Sequence, residues 1–259
     1  MAIIVVGGSN RGVSKTELVC GLIAALPERR WVAVKIAESI AGSVGDENEA
    51  WLQTAGLPWE SIWEETQPGD DTDAERYLHA GAARSFQLTI ADEAGAGPGI
   101  QPEEAGRREI SLRDRNWREG NSPHRSQDAN HAVSTGLAAV LDQFWPRFGR
   151  GTNFIFESNR VVHHVRPDVC LMIHGLPHRA LGLPERHPSF LSAVGHTDAM
   201  IIEALAGRHV DGSFTLPGQE PKPVFALGDF NRPTPSMLAW LRPQLGLEVL
   251  QPAEALQHR

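Results

Sequence analysis

The apolar positions change period twice near the start of the chain. Residues 2–6 form an unbroken apolar run rich in β-branched side chains, stopped by Gly7 and Gly8. Such a run predicts a strand buried on both faces, as in a parallel sheet. Between residues 15 and 26 the spacing becomes helical: Leu18, Leu22, Ala25 and Leu26 share one face, and Pro27 ends the segment. Residues 31–36, Trp-Val-Ala-Val-Lys-Ile, return to a strand pattern. Strand, helix and strand in this order predict a parallel unit joined by a right-handed crossover.

Further along, 46–56 reads as weakly helical, and 64–73 is polar and acidic with Pro68 and Gly69, which predicts a loop. A helix is expected over 73–82 and a strand over 85–90. Residues 91–130 are rich in Gly, Pro, Arg, Glu, Asp, Asn and Ser, with scattered apolar positions such as Ile110, Leu112 and Trp117. That composition buries too little apolar surface to offset the entropy of ordering, so the stretch reads as a flexible insertion or lid, or as a plain solvated loop. A helix is predicted over 131–144, a central strand over 153–158, and further strands over 169–173, 199–202 and 224–227. A helix over 235–241 and a short strand over 247–250 complete the pattern. Strands alternating with helices predict an α/β fold with a doubly wound, mostly parallel sheet, formed as a single domain over 1–259 with the 91–130 insertion inside it.

Composition narrows the picture. The 259 residues are enough to bury a sizeable core without disulfides or a structural metal. A formal net charge of −8 argues against a broad nucleic-acid-binding face, which would be basic. Cys20 and Cys170 stand alone in apolar stretches and are expected to be buried thiols. No apolar run approaches the length of a membrane span. The apolar start lacks a basic leader and runs straight into glycines and a helix, so it is not read as a signal peptide, and a cytoplasmic location is expected.

Candidate chemistry concentrates in Gly-Gly-Ser-Asn-Arg-Gly-Val-Ser-Lys-Thr-Glu-Leu-Val, Gly7 to Val19, where the first strand turns into the first helix. A glycine-rich loop in that context makes a nest of inward-facing backbone N–H groups, and the helix adds its own unpaired N–H groups and positive dipole end. The nucleotide-binding candidates are therefore Gly8, Ser9, Asn10, Arg11, Gly12, Val13, Ser14, Lys15, Thr16 and Glu17. Lys15 is assigned to the β- and γ-phosphates as a catalytic point charge, and Thr16 offers a hydroxyl to Mg²⁺. The strict pattern GxxxxGK[ST] would require glycines at positions 9 and 14, where this chain has Ser9 and Ser14.

Residues Gly8 to Thr16 resemble the GxxxxVGKT loop of dethiobiotin synthetases and the GGVGKT loop of ParA-type ATPases, with Ser14 alone in place of a glycine. A wider resemblance is to the molybdopterin-guanine dinucleotide biosynthesis adaptor family (MobB), small GTP-binding P-loop proteins of the SIMIBI class. It rests on Ile-Ile-Val-Val-Gly-Gly-Ser-Asn, the second strand Val-Ala-Val-Lys-Ile, and Asp71 to Ala82, and covers about 2–90 and 152–174. That family carries a Glu-Gly at the end of a later strand, here Glu157-Ser158, and a histidine after its second strand that this chain lacks. The resemblance implies a P-loop fold, ATP or GTP as ligand with Mg²⁺, and a protein partner or a homodimer.

Glu157 is the best candidate carboxylate for Mg²⁺ or for positioning water, because the apolar strand Asn-Phe-Ile-Phe-Glu-Ser ends on it and ligands of open α/β sheets bind beyond the carboxyl ends of the strands. Asp71 is a candidate metal ligand, with Asp73 as its alternative; either could instead cap the following helix. Lys35 either faces the γ-phosphate or substrate, or is a solvated strand end. Asn159 and Arg160 could orient phosphate. His163, His164, His174 and His178 match no metal-site spacing and read as ordinary exposed histidines. The segment 198–204 stands where base recognition is expected but lacks the Asn-Lys-x-Asp pattern for guanine, which leaves ATP and GTP both open. Three functions follow: a Mg²⁺-dependent NTPase, a nucleotide-dependent adaptor without turnover, and an ATP-dependent carboxylate ligase of the dethiobiotin type.

Overall fold

Strand β1, Ile3–Gly8, is buried along its whole length. Its alternate residues serve two different cores: Ile4 and Val6 join one apolar cluster, Ile3 and Val5 the other. A strand sandwiched in this way has no polar face, which is why it reads as a continuous apolar run. The computed structural model describes residues 1–10, 12–39, 61–91, 136–175, 188–203, 212–216, 219–228 and 232–248. Arg11, His178, the expected helix at 46–56, nearly all of the 91–130 insertion and residues 131–135 of the expected helix over 131–144 lie outside the described residues.

The chain alternates strands and helices: β1, α1 (Lys15–Ala25), β2 (Val32–Ser39), β3 (Ser61–Glu65), α2 (Asp73–His79), β4 (Arg84–Ala91), α3 (Leu137–Phe144), β5 (Phe154–Glu157), β6 (Val169–His174), α4 (Pro188–Ala193), β7 (Ala199–Ile202), β8 (Gly212–Phe214), β9 (Lys222–Ala226) and α5 (Pro235–Gln244). The nine described strands form one sheet in the order β3-β4-β2-β5-β1-β6-β7-β9-β8. Pairing from β4 across to β9 is parallel, whereas the edge strands β3 and β8 run antiparallel to their neighbours. The α/β class and the mostly parallel sheet follow from the sequence pattern.

Helices cover both faces. On one, α1 and α5 pack Leu18, Leu22, Met237 and Leu241 against Ile4, Val6, Ile155 and Leu171, and Tyr77 of α2 joins them. On the other, Leu137, Val140, Leu141 and Phe144 of α3 and Phe190 of α4 cover Val5, Val34, Phe86 and Phe156. There Phe144, Trp145, Phe148, Phe154 and Phe156 form a run of mostly edge-to-face contacts, an arrangement that adds to burial through the ring quadrupoles. No helix among the described residues is long and apolar enough to cross a membrane.

Four expectations need correction. The loop expected over 64–73 begins inside β3, where Glu64 makes a two-pronged bond to Arg84 at 2.6 and 2.8 Å; a charged edge strand has only one face to bury, so its composition mimics a loop. Neither Asp71 nor Asp73 caps α2: Thr72 does, its hydroxyl oxygen accepting from the Glu75 amide at 3.1 Å. Helix α5 runs on to Gln244, and Leu247 and Glu248 lie in no strand; the Leu247 amide instead donates to the Arg242 carbonyl at 2.9 Å. The short elements α4 and β8 carry no period long enough to read.

Candidate functional site

Sheet register sets the site. Along the carboxyl ends of three adjacent parallel strands, Val6 of β1 lies beside Glu157 of β5, and Glu157 beside Lys35 of β2. Side chains in register on parallel strands project from the same face. Glu157 and Lys35 therefore emerge together on the face that α1 covers, and their side chains are ion-paired.

Helix α1 begins at Lys15, beyond a turn in which Gly12 has φ +76°, a conformation glycine adopts without strain. The Lys15 amine folds back and donates to the Asn10 carbonyl at 3.0 Å. Thr16, buried on the next position, donates its hydroxyl to Glu157 Oε2 at 2.9 Å. The upstream end of the loop is clamped by Asn159: its Oδ1 accepts from the Gly8 amide at 2.8 Å and its Nδ2 donates to the Gly8 carbonyl at 3.0 Å.

Glu157 is 1% exposed and has three partners among the described residues: Thr16, the Lys35 amine and the Tyr77 hydroxyl. A buried carboxylate is tolerable when paired and hydrogen-bonded in this way. Lys35 also pairs with Asp73, the first residue of α2, at 2.8 Å. Burial disfavours the Lys35 charge, but Glu157 and Asp73 outweigh it and hold the amine above the usual lysine range. Asp73 shows the reverse: burial pushes it up, yet the Lys35 amine and the Arg76 guanidinium together hold it below the usual carboxylate range. Burial, with Glu157 and Asp73 nearby, drives Tyr77 well above the ordinary phenol value, so it remains a donor.

Lys15 differs from its neighbours. Burial, reinforced by the Lys35 charge, holds its amine below the usual lysine value although Glu157 and Asp73 work against this. Its hydrogen bond goes to a neutral carbonyl. A cation in that state is stabilised by an arriving anion.

The other expected residues are distributed as follows. Ser9 is fully buried and committed to β6: its amide donates to the Ile173 carbonyl at 2.8 Å and its hydroxyl oxygen accepts from the Gly175 amide at 3.1 Å. Val13 is part of the apolar core. Glu17 pairs with Arg76 at 3.1 Å, tying α1 to α2. Asp71 is exposed, its amide donating to Glu75 Oε2 at 3.0 Å, and it is Asp73 that stands with Lys35 and Thr16. The Arg160 amide donates to the Ser158 hydroxyl oxygen at 3.1 Å. His163 stacks edge-on against His196 with ring centroids 5.2 Å apart, and His174 Nδ1 lies 2.8 Å from the Gly175 carbonyl. Among the described residues no group of three or more His, Cys, Asp and Glu is gathered to hold a metal ion. Both cysteines are free, and burial pushes Cys20 to about 11 and Cys170 to about 12.

Two residues of the site escape the sequence reading. Tyr77 is the chain's only tyrosine, and its spacing from Ala74 on an amphipathic helix could have marked it as inward-facing. Glu203 directly follows the apolar strand β7, the same strand-end signal that singles out Glu157. It accepts from the Ser14 amide at 2.7 Å and from the Ser14 hydroxyl at 2.6 Å.

The donor set at the end of the sheet is all oxygen: the Thr16 hydroxyl and the carboxylates of Glu157 and Asp73. Such a set suits a hard divalent cation that takes one or two carboxylates and completes its shell with phosphate and water. Comparison with protein-family models, with curated proteins and with solved structures finds no match for the chain.

Proposed function

We propose that this chain binds a nucleoside triphosphate, ATP or GTP, with Mg²⁺ at the loop between β1 and α1, and that it transfers or hydrolyses the terminal phosphate. One observation carries the reading: Lys15, a half-buried amine bonded among the described residues only to a carbonyl, stands one residue before a hydroxyl that is bonded to the strand-end carboxylate Glu157. A cation with no carboxylate bonded to it among the described residues, next to an oxygen donor set at the carboxyl end of a parallel sheet, is an arrangement suited to a metal-bound polyphosphate. The likeness of Gly8 to Thr16 to known phosphate loops supports the same reading.

In this reading Lys15 leaves the Asn10 carbonyl and pairs with phosphate oxygens, while the amides at the start of α1 donate to them. Thr16, Glu157 and Asp73 would hold Mg²⁺, which supplies neutralisation of the phosphate charge. Tyr77 keeps Glu157 oriented by donating to it. Lys35 balances the two carboxylates, and its one-fifth exposed side chain leaves its amine within reach of a transferred group. Catalysis by such a set consists of positioning and electrostatic stabilisation.

A second reading, nucleotide-dependent docking without turnover, has one observation in its favour. Glu157 already accepts from Thr16, Lys35 and Tyr77, and a carboxylate so engaged has reduced capacity to orient a water. Titration with labelled ATP and GTP, with and without Mg²⁺, tests the binding common to both readings; phosphate release measured on the same samples separates them. Absence of Mg²⁺-dependent binding to either nucleotide would refute both.

A further inference from the structure

Ser14 precedes α1 and holds the position where related phosphate loops carry glycine. As an N-cap residue it makes no side-chain bond to its own helix. Both of its donors go elsewhere, to one oxygen: Glu203 Oε1 accepts from the amide at 2.7 Å and from the hydroxyl at 2.6 Å. Glu203 comes from the end of β7, on the far side of β6 from β1. The chain thus places one of its own carboxylates on an amide at the positive end of the α1 dipole, the ground that a phosphate oxygen would take.

We infer that Glu203 is an internal anion that latches the phosphate loop, and that polyphosphate enters by displacing it. This rests on the nucleotide reading above. Two anions cannot share one amide, and a carboxylate left beside bound phosphate repels it. Displacement therefore costs the loop its two bonds to Glu203 before the Ser14 amide can donate to phosphate. Serine in place of glycine strengthens the latch, because the hydroxyl supplies the second donor. Departure from the usual loop pattern and the strand-end carboxylate are then two halves of one device, which sets the ligand concentration at which the loop opens.

The test is a titration of wild type, Glu203→Gln and Ser14→Gly with labelled ATP and GTP in Mg²⁺, beside thermal melting without nucleotide. Glu203→Gln keeps an acceptor for Ser14 but removes its charge, so it is expected to bind about tenfold more tightly, the difference between displacing a charged and a neutral hydrogen-bond partner, and to melt lower when ligand-free. Ser14→Gly keeps the amide and loses the hydroxyl, so it moves both measurements the same way by less. If Glu203 merely caps α1, its loss lowers melting and leaves affinity unchanged or weaker; that result in folded Glu203→Gln overturns the latch. Should Glu203→Gln not fold, Ser14→Gly decides by the same criterion. Binding by the variants alone supports the latch. Wild-type binding without gain in either variant removes the latch only, whereas no binding by any of the three removes the nucleotide reading and the latch with it.

Discussion

The phenol of Tyr77 donates a hydrogen bond to Glu157 Oε2, and both side chains are buried. Tyr77 reaches across from α2 to a carboxylate on β5 that also holds Thr16 and Lys35, so it fixes one of the two acids of the candidate metal site. Replacing Tyr77 by Phe keeps the packing of the ring and removes a single donor. Leaving a buried acceptor short of a partner costs about 1–3 kcal/mol, so denaturant unfolding of Tyr77→Phe should show a loss of that size. Mg²⁺-dependent nucleotide binding should weaken as well. A variant as stable as wild type would show that the phenol holds nothing in place.

Close approach, and not only charge, shapes the loop. A Cβ built on Gly7 would lie 2.3 Å from Met172 Sδ and 2.5 Å from Asn159 Oδ1. Asn159 is the side chain that clamps Gly8, so it cannot yield without releasing the loop's first amide. Gly7→Ala is therefore expected to lose about 1–3 kcal/mol through overpacking, and to lose nucleotide affinity beyond what its stability alone explains. Asn159→Ala, which opens space and breaks the clamp, should reproduce the affinity loss without the overpacking. Equal affinities for wild type and Asn159→Ala would separate the clamp from binding.

Legibility of the chain follows from how much of each signal is local. Strands β1, β5 and β7 are apolar on both sides and announce themselves in four to six residues. Glu157 stands out in the sequence because a charge ends such a run, and Lys15 and Thr16 because they open a helix after a glycine-containing loop. The pairing of Lys35 with Glu157 was not, since it depends on β2 and β5 being neighbours in register, which no local pattern encodes. The choice of Asp73 over Asp71 was lost for a related reason: Thr72 takes the capping role, which fixes where the helix starts and hence which aspartate turns inward. Strand β3 was misread because a charged edge strand and a polar loop share one composition. Glu203 is long-range by nature, reaching a residue far earlier in the chain.

The pairing of Lys35 with Asp73 and Glu157 predicts a pH profile with two limbs. Asp73 is held below the usual carboxylate range, so its contribution to stability is present above about pH 3.9, the ordinary value, and is lost as pH falls through the depressed one. Lys35 is held above the usual lysine range, so its contribution is present below about pH 10.4 and is lost as pH rises through the raised value. Asp73→Asn should be less stable than wild type at neutral pH, and the gap should close as the pH is taken into the acid limb. Melting temperatures recorded across the range for both proteins would check this; a gap that stays constant in acid would show that Asp73 contributes no ionised partner.

Lys15 carries the opposite sign, and this separates function from architecture. Burial holds its folded value below the ordinary one, so at neutral pH folding must accommodate a charge that water would solvate better. That cost is present below the depressed value and disappears as pH rises through it toward the ordinary one. Lys15→Ala should therefore melt no lower than wild type at neutral pH, and any gain it shows should shrink in alkali. The same substitution removes the cation assigned to the phosphates, and triphosphate affinity should fall by about tenfold or more, as expected for loss of a charge-assisted contact. Thermal melting and nucleotide titration on one preparation make the comparison. A buried structural lysine would give lower melting with unchanged affinity, whereas a residue kept for an anion gives unchanged or higher melting with affinity lost.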